Sequence, residues 1–221
     1  MKNSILTALM CALTLTGALA HNATASELGG GGAMTGVFLG FGVGGQRVEA
    51  DATGVASMSE TGAIGQAVAI AQYDFGGLVV GGEAQASYAD NKASADCSAP
   101  IGFAGINCAS QQQVSFALLG RVGFAFGGFM PYATAGFAVA PNTSAGLEGF
   151  GVKLSQELDY DGKAFGGGVM WRAADWVAVD VQYLKIDYDT EELSVPAIAF
   201  SQDVEMEEQR VVARVLFPIW R

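Results

Sequence analysis

The sequence predicts an all-β chain: an eight-stranded antiparallel transmembrane β-barrel, with short periplasmic turns at one end and long extracellular loops at the other. Three observations carry this. Segments of about ten residues alternate apolar and polar side chains with a period of two. The connections between them are short and long in turn. Charged residues make up only 15% of the chain, against roughly 25% in a soluble domain, while glycine, 31 of 221 residues, stands at about twice its usual share.

The first element is a signal peptide over residues 1–25. Lys2 supplies the positive start and Ile5 to Leu15 the apolar stretch. Ala18-Leu19-Ala20 and Ala23-Thr24-Ala25 offer small-residue cleavage sites after residue 20 or 25. Cys11 lies within the apolar stretch with no lipobox before a cleavage point, so a lipoprotein is not expected. A retained anchor is the alternative, but the stretch falls short of the about 20 apolar residues a membrane helix needs. Without Lys2 the chain carries 10 basic and 22 acidic residues, a net charge of 10 − 22 = −12. No nucleic-acid partner is expected of such a chain.

The barrel domain follows, over residues 26–221. Its strands are expected at about 35–44, 63–74, 78–89, 113–126, 129–140, 163–173, 176–188 and 208–219. In the third, Leu78, Val80, Ala84, Ala86 and Tyr88 oppose Glu83, Gln85 and Ser87. In the fourth, Val114, Phe116, Leu118, Val122, Phe124 and Phe126 oppose Gln113, Ser115, Ala117 and Arg121. The seventh sets Val177, Val179, Val181 and Tyr183 against Asp180 and Gln182, and the eighth sets Val211, Ala213, Val215 and Phe217 against Arg214. The non-greasy face is small, polar and rich in glycine, which suits the inside of a narrow barrel whose apolar face meets lipid.

Val122 to Leu147 holds no charge and could be mistaken for a membrane helix. It contains five glycines and two prolines, Pro131 and Pro141. Each interior glycine costs a helix about 1 kcal/mol and each proline about 3 kcal/mol, so two strands joined at Gly127-Gly128 are the better solution. The other short turns are Phe75-Gly76-Gly77 and Ala174-Asp175; the long connections fall near 45–62, 90–112, 141–162 and 189–207. Aromatic residues gather beside the short turns: Phe126, Phe129 and Tyr132, then Trp171 and Trp176, then Phe217 and Trp220. They are expected to form a periplasmic aromatic girdle at the headgroup level.

LVVGGEAQASYAD (78–90), LLGRVGFAFGGFMPYATAGFAVA (118–140) and AFGGGVMWRAADWVAVDVQYL (164–184) resemble the porin-family, OmpA-like and opacity-protein-like eight-stranded barrels of alphaproteobacteria. The resemblance runs from about residue 33 to the end. It implies a place in the bacterial outer membrane, with membrane lipid, lipopolysaccharide and the β-barrel assembly machinery as partners and an unidentified extracellular ligand as a further one. Family members usually end in an aromatic residue; this chain ends Trp220-Arg221, with Pro218 nearby. No peptidoglycan-binding domain follows the barrel, so tethering to the cell wall is not expected.

Cys97 and Cys108 lie in the second long loop, and in an exported chain they are expected to form one disulfide, with two free thiols as the alternative. They are too few for zinc. The only histidine is His21, outside the barrel, so a Ser-His-acid hydrolase or an acid-His protease has no base, and no enzyme is expected. The glycine runs 29–32 and 166–168 lack the lysine and hydroxyl of a phosphate loop, and no cofactor is expected.

Four charges share the inward parity: Glu83, Arg121, Asp180 and Arg214. Glu83 sits on the strand beside Arg121 and Asp180 on the strand beside Arg214, so the four are expected to meet as lumen ion pairs that block a water path; separately solvated charges are the alternative. Asp187, Asp189, Glu191, Glu192, Asp203, Glu205, Glu207 and Glu208 make the last long loop acidic. It reads as a solvated loop, with a divalent-cation site as the alternative. The function expected is non-enzymatic, structural or surface-displaying, with a plugged lumen. A small pore for passive solute diffusion is the alternative, kept open by the inward glycines.

Overall fold

A computed structural model describes residues 34–52, 56–96, 107–149, 152–189, 191–195 and 200–220. The signal peptide, His21 and Cys97 lie outside the described residues, as do the side chains of 50–58, 90–113, 142–159 and 190–204.

The strands are β1 (Gly36–Ala52), β2 (Ala56–Asp74), β3 (Leu78–Asp96), β4 (Asn107–Phe124), β5 (Phe129–Gly149), β6 (Val152–Ala174), β7 (Val177–Tyr188), β8 (Glu191–Val195) and β9 (Phe200–Trp220). All pairs are antiparallel. The order β1-β2-β3-β4-β5-β6-β7-β9 closes on itself through β1 and β9, so eight strands form the wall. The short β8 pairs only with the start of β9. Closure gives the N–H and C=O groups within the wall cross-strand partners, which a lipid-embedded sheet requires.

The turns obey local chemistry. After β2 the chain reverses through Gly76 and Gly77, with φ of 86° and 119°, a region costly for residues with a Cβ. The Asp74 carboxylate accepts hydrogen bonds from both glycine N–H groups, at 3.0 and 2.7 Å. Between β4 and β5, Gly127 has φ of 62°, and the Phe126 N–H donates to the Phe129 carbonyl at 2.7 Å. The described prolines, Pro131, Pro141 and Pro218, lie where a ladder lets go. Pro131 is one residue past the end of the β4–β5 ladder at Gly123↔Tyr132. Pro141 falls in the register break between Ala140 and Thr143, and Pro218 at the irregularity that pairs Phe38 with Pro218 and Val37 with Trp220. A residue without an N–H is tolerated at such positions.

One expectation changes. The long connections are largely strand: β1–β2 pairing continues to Ala52↔Ala56, β3–β4 to Asp96↔Asn107 and β5–β6 to Gly149↔Val152. Residues such as 56–63 and 143–149 are polar and small on both parities, so they lack the one-sided apolar pattern that marks a half-buried strand, a pattern that 152–161 does carry with Val152, Leu154, Leu158 and Tyr160. Their strand form comes from continuing an existing ladder.

The two faces separate by parity. Leu118, Val122, Phe137, Phe165, Val181 and Val211 are exposed on the outside, while residues one position away are buried. An apolar exterior around a partly ionic interior inverts the soluble arrangement and fits a barrel in lipid.

Candidate functional site

The lumen is the candidate site, and it is built in layers. At the end carrying the short turns, Met34, Phe38, Ile70, Val79, Met130, Met170, Ala178 and Leu216 form an apolar plug. Gln72 is buried with it and donates to the Met34 carbonyl at 2.7 Å, which ties the chain's entry across that mouth.

The middle layer is ionic. Glu83, Arg121, Asp180 and Arg214 are 1%, 2%, 0% and 1% exposed. They come from β3, β4, β7 and β9 and meet as a cross-linked quartet. Arg214 contacts Asp180 at 2.5 Å and also Glu83. Arg121 reaches Glu83 at 3.4 Å and Asp180 at 3.3 Å. The two positive and two negative charges balance, as burial in a low-dielectric interior demands. Each arginine bridges both carboxylates, beyond the one partner that strand adjacency alone suggests for each.

Polar side chains complete the layer. Gln182 donates to Glu83 at 3.2 Å and accepts from Gln85 at 2.7 Å; Gln66 donates to Gln85 at 2.9 Å. Tyr132 is the correction to the girdle. It is 7% exposed and lies inside, where its hydroxyl bonds Asp180 at 2.8 Å and accepts from Arg214 at 2.9 Å. Its ring lies under the Arg121 guanidinium, 3.7 Å from the centroid. Proximity to a turn placed it in the girdle, but its parity is that of Met130 and Thr134, both buried.

The third layer lies towards the long hairpins. It combines Leu119, Ala138, Tyr160, Leu184, Ile186, Tyr188 and Met206 with a second ion pair, Arg210–Glu208 at 3.0 Å. Tyr188 donates to Glu208 at 2.9 Å and Arg210 to Ser87 at 2.9 Å. Glu208, expected in the solvated acidic loop, is instead buried beside Arg210. Both share the parity of Arg214, and that was the signal. Of the other acidic residues, Asp187 and Glu207 pair with Lys185 at 3.3 and 2.7 Å. Among the described residues no acidic group has the spacing of a metal site. Glu191, Glu192 and Asp203 have side chains outside the described residues.

The inward glycines are space for neighbours. A Cβ on Gly42 would lie 2.6 Å from the Arg214 Cγ, and one on Gly168 2.6 Å from the Tyr132 hydroxyl and 2.3 Å from the Val181 carbonyl. Small residues on one strand thus admit large ones from the next. Gly168→Ala is expected to push Tyr132 out of the layer and cost about 1–3 kcal/mol, as overpacking does; urea unfolding of the refolded barrel measures it.

Six aromatic residues named for the girdle, Phe126, Phe129, Trp171, Trp176, Phe217 and Trp220, are exposed outside the wall at the short-turn end. The Phe129 and Trp171 rings stack with centroids 5.7 Å apart. Tyr73 and Phe75, in edge contact at 4.6 Å, flank the first short turn and were missed. The Cys97–Cys108 disulfide falls outside the described residues; of the pair, only the backbone of Cys108 is described, opposite Ala95 and Leu147.

No family model matches the chain, and no curated protein does. Solved structures do. The outer membrane protein OprG from Pseudomonas aeruginosa is 11% identical over 82% of this chain and 95% of that chain, with a TM-score of 0.51. Neisserial surface protein A is 13% identical over 84% of this chain and 98% of that one, with a TM-score of 0.48. The outer membrane protease OmpT from Escherichia coli is 9% identical over 83% and 97%, with a TM-score of 0.44. The likeness to OprG is one of fold: this chain has the architecture of an outer-membrane β-barrel.

Proposed function

We propose that this chain, with the fold of an outer-membrane β-barrel, resides in the outer membrane as a non-enzymatic protein that displays its long hairpins outside the cell on a plugged barrel. The observation that carries the reading is the filled lumen. The quartet of Glu83, Arg121, Asp180 and Arg214 lies between the apolar layer at the short-turn end and the mixed layer that holds the Arg210–Glu208 pair, and its side chains are fully buried. An ion crossing it would have to displace charges already paired and then cross the apolar layer at the short-turn end, with little to hydrate it there. The inward glycines had favoured a pore; their space is taken by Arg214, Tyr132 and their neighbours.

With the apolar layer at the short-turn end and the Asp180–Arg214 pair left in place, Glu83→Ala with Arg121→Ala is expected to leave the barrel non-conducting in a planar bilayer.

Surface display is tested in intact cells. An epitope inserted after Gly54, between β1 and β2, is expected to bind antibody on unbroken cells. The same epitope after Gly76, in a short turn, is expected to bind only once the outer membrane is permeabilised. The reverse pattern, or no labelling of either in cells that hold the folded barrel, would contradict display. The export signal at 1–25 belongs to the same reading, as does the Cys97–Cys108 bond that pins the β3–β4 hairpin.

A further inference from the structure

The apolar layer at the short-turn end is filled largely by sulfur. Four methionines have described side chains, and three of them, Met34, Met130 and Met170, are fully buried together there. Met130 and Met170 are directly opposed on β5 and β6, which sets their Cβ atoms roughly 5 Å apart. From β2, across the lumen, Gln72 reaches both. Its amide Nε2 donates to the Met130 sulfur at 3.9 Å and to the Met170 sulfur at 3.7 Å, besides its bond to the Met34 carbonyl.

A plug needs only bulk, which leucine provides. Thioethers add lone pairs, and here two sulfurs turn theirs to one amide nitrogen, so the pairs converge on a single point. Gln72 Oε1 is buried with no hydrogen-bond partner among the described residues, an oxygen lone pair held in an apolar layer at a cost. Neutral sulfur donors with one amide oxygen suit a soft ion, Cu(I), in preference to Zn²⁺ or Ca²⁺. The charges nearby favour a monovalent ion too. Asp74, buried two positions along β2, and Arg172, whose guanidinium lies 5.7 Å from the Phe38 ring centroid, put one charge of each sign at this mouth. The Born cost of a buried ion grows with the square of its charge, so one added charge is far cheaper than two.

We propose that Met130 and Met170, with Met34 as the third sulfur, bind one Cu(I) ion inside the short-turn mouth of the barrel. The ion takes the place that the Gln72 amide hydrogens hold between the sulfurs. Turning that amide gives up the bond to the Met34 carbonyl and presents Oε1 to the ion. Thioethers, unlike thiolates, imidazoles or carboxylates, have no proton to lose before they bind a metal, so the affinity does not change with pH. The site is independent of the display reading.

The test uses the mature chain with Cys97→Ser and Cys108→Ser, so that thiolates do not compete, refolded in detergent micelles. Cu(I) is titrated anaerobically against bicinchoninate, a coloured Cu(I) chelator. The barrel is expected to withdraw one ion per chain, equally at about pH 6 and about pH 8. Met130→Leu with Met170→Leu conserves volume and is expected to weaken binding about tenfold or more while the barrel still runs as folded on a heat-modifiability gel. Should the pair fail that gel, each single variant is read in its place. Met206→Leu, in the third layer, is expected to change nothing. X-ray absorption at the copper edge is expected to show sulfur around the ion. No withdrawal of copper, equal binding by the methionine variants, binding lost at the lower pH, or a shell of nitrogen and oxygen alone would each overturn the proposal. Failure here leaves the epitope test untouched, because that test reads only which hairpins face outside.

Discussion

Arg214→Ala is expected to destabilise the barrel by about 3–5 kcal/mol, the cost of breaking a buried pair by removing one partner. Arg214 is the tighter of the two lumen arginines: it holds Asp180 at 2.5 Å, contacts Glu83 and donates to the Tyr132 hydroxyl at 2.9 Å. Without it two buried carboxylates share Arg121, whose contacts to them are 3.3 and 3.4 Å long. Arg121→Ala leaves the shorter contacts standing, so its cost is expected to be smaller. Arg214→Leu with Glu83→Leu removes one charge of each sign and leaves Asp180 with Arg121. That pair is expected to recover most of the loss, because replacing a buried ion pair with apolar groups is often neutral. Urea unfolding followed by tryptophan fluorescence measures all three. Equal small losses for both arginines would mean that the charges are solvated separately.

Leu118→Arg is expected to cost about 2–4 kcal/mol in a lipid bilayer, the penalty for arginine on the lipid face near the midplane. Leu118 is exposed and its neighbour Leu119 buried. On a water-soluble sheet an exposed leucine can become arginine at almost no cost, so the size of the effect separates the two environments. Unfolding in lipid vesicles measures it, and a change within about 0.5 kcal/mol, ordinary for a water-exposed site, would contradict a lipid-facing wall.

Period-two alternation made the wall legible. Tyr88, Phe116, Leu118 and Val122 lie outside, and Glu83, Ser115, Arg121 and Arg214 inside, as parity alone requires. The short turns were legible because Gly76, Gly77 and Gly127 adopt positive φ. The strand extensions were not, because residues such as 56–63 and 143–149 show no apolar face and are ordered by the neighbouring ladder. The ionic residues of the middle layer could be named, since inward charge is rare, but not their connectivity. Across a narrow lumen Arg214 reaches Glu83, 131 residues away, and strand adjacency does not describe such contacts. Tyr132 failed for a related reason: nearness to a turn suggested the headgroups, while its parity put the hydroxyl against Asp180.

The most direct test of a plugged barrel is the single-channel conductance of the mature protein in a planar bilayer, after a heat-modifiability gel has shown that it is folded. The account predicts a silent, folded protein. Stable and reproducible conductance steps from the unaltered chain would contradict it, because paired Arg121, Arg214, Glu83 and Asp180 above the apolar layer of Phe38, Met130 and Leu216 leave no continuous path for water.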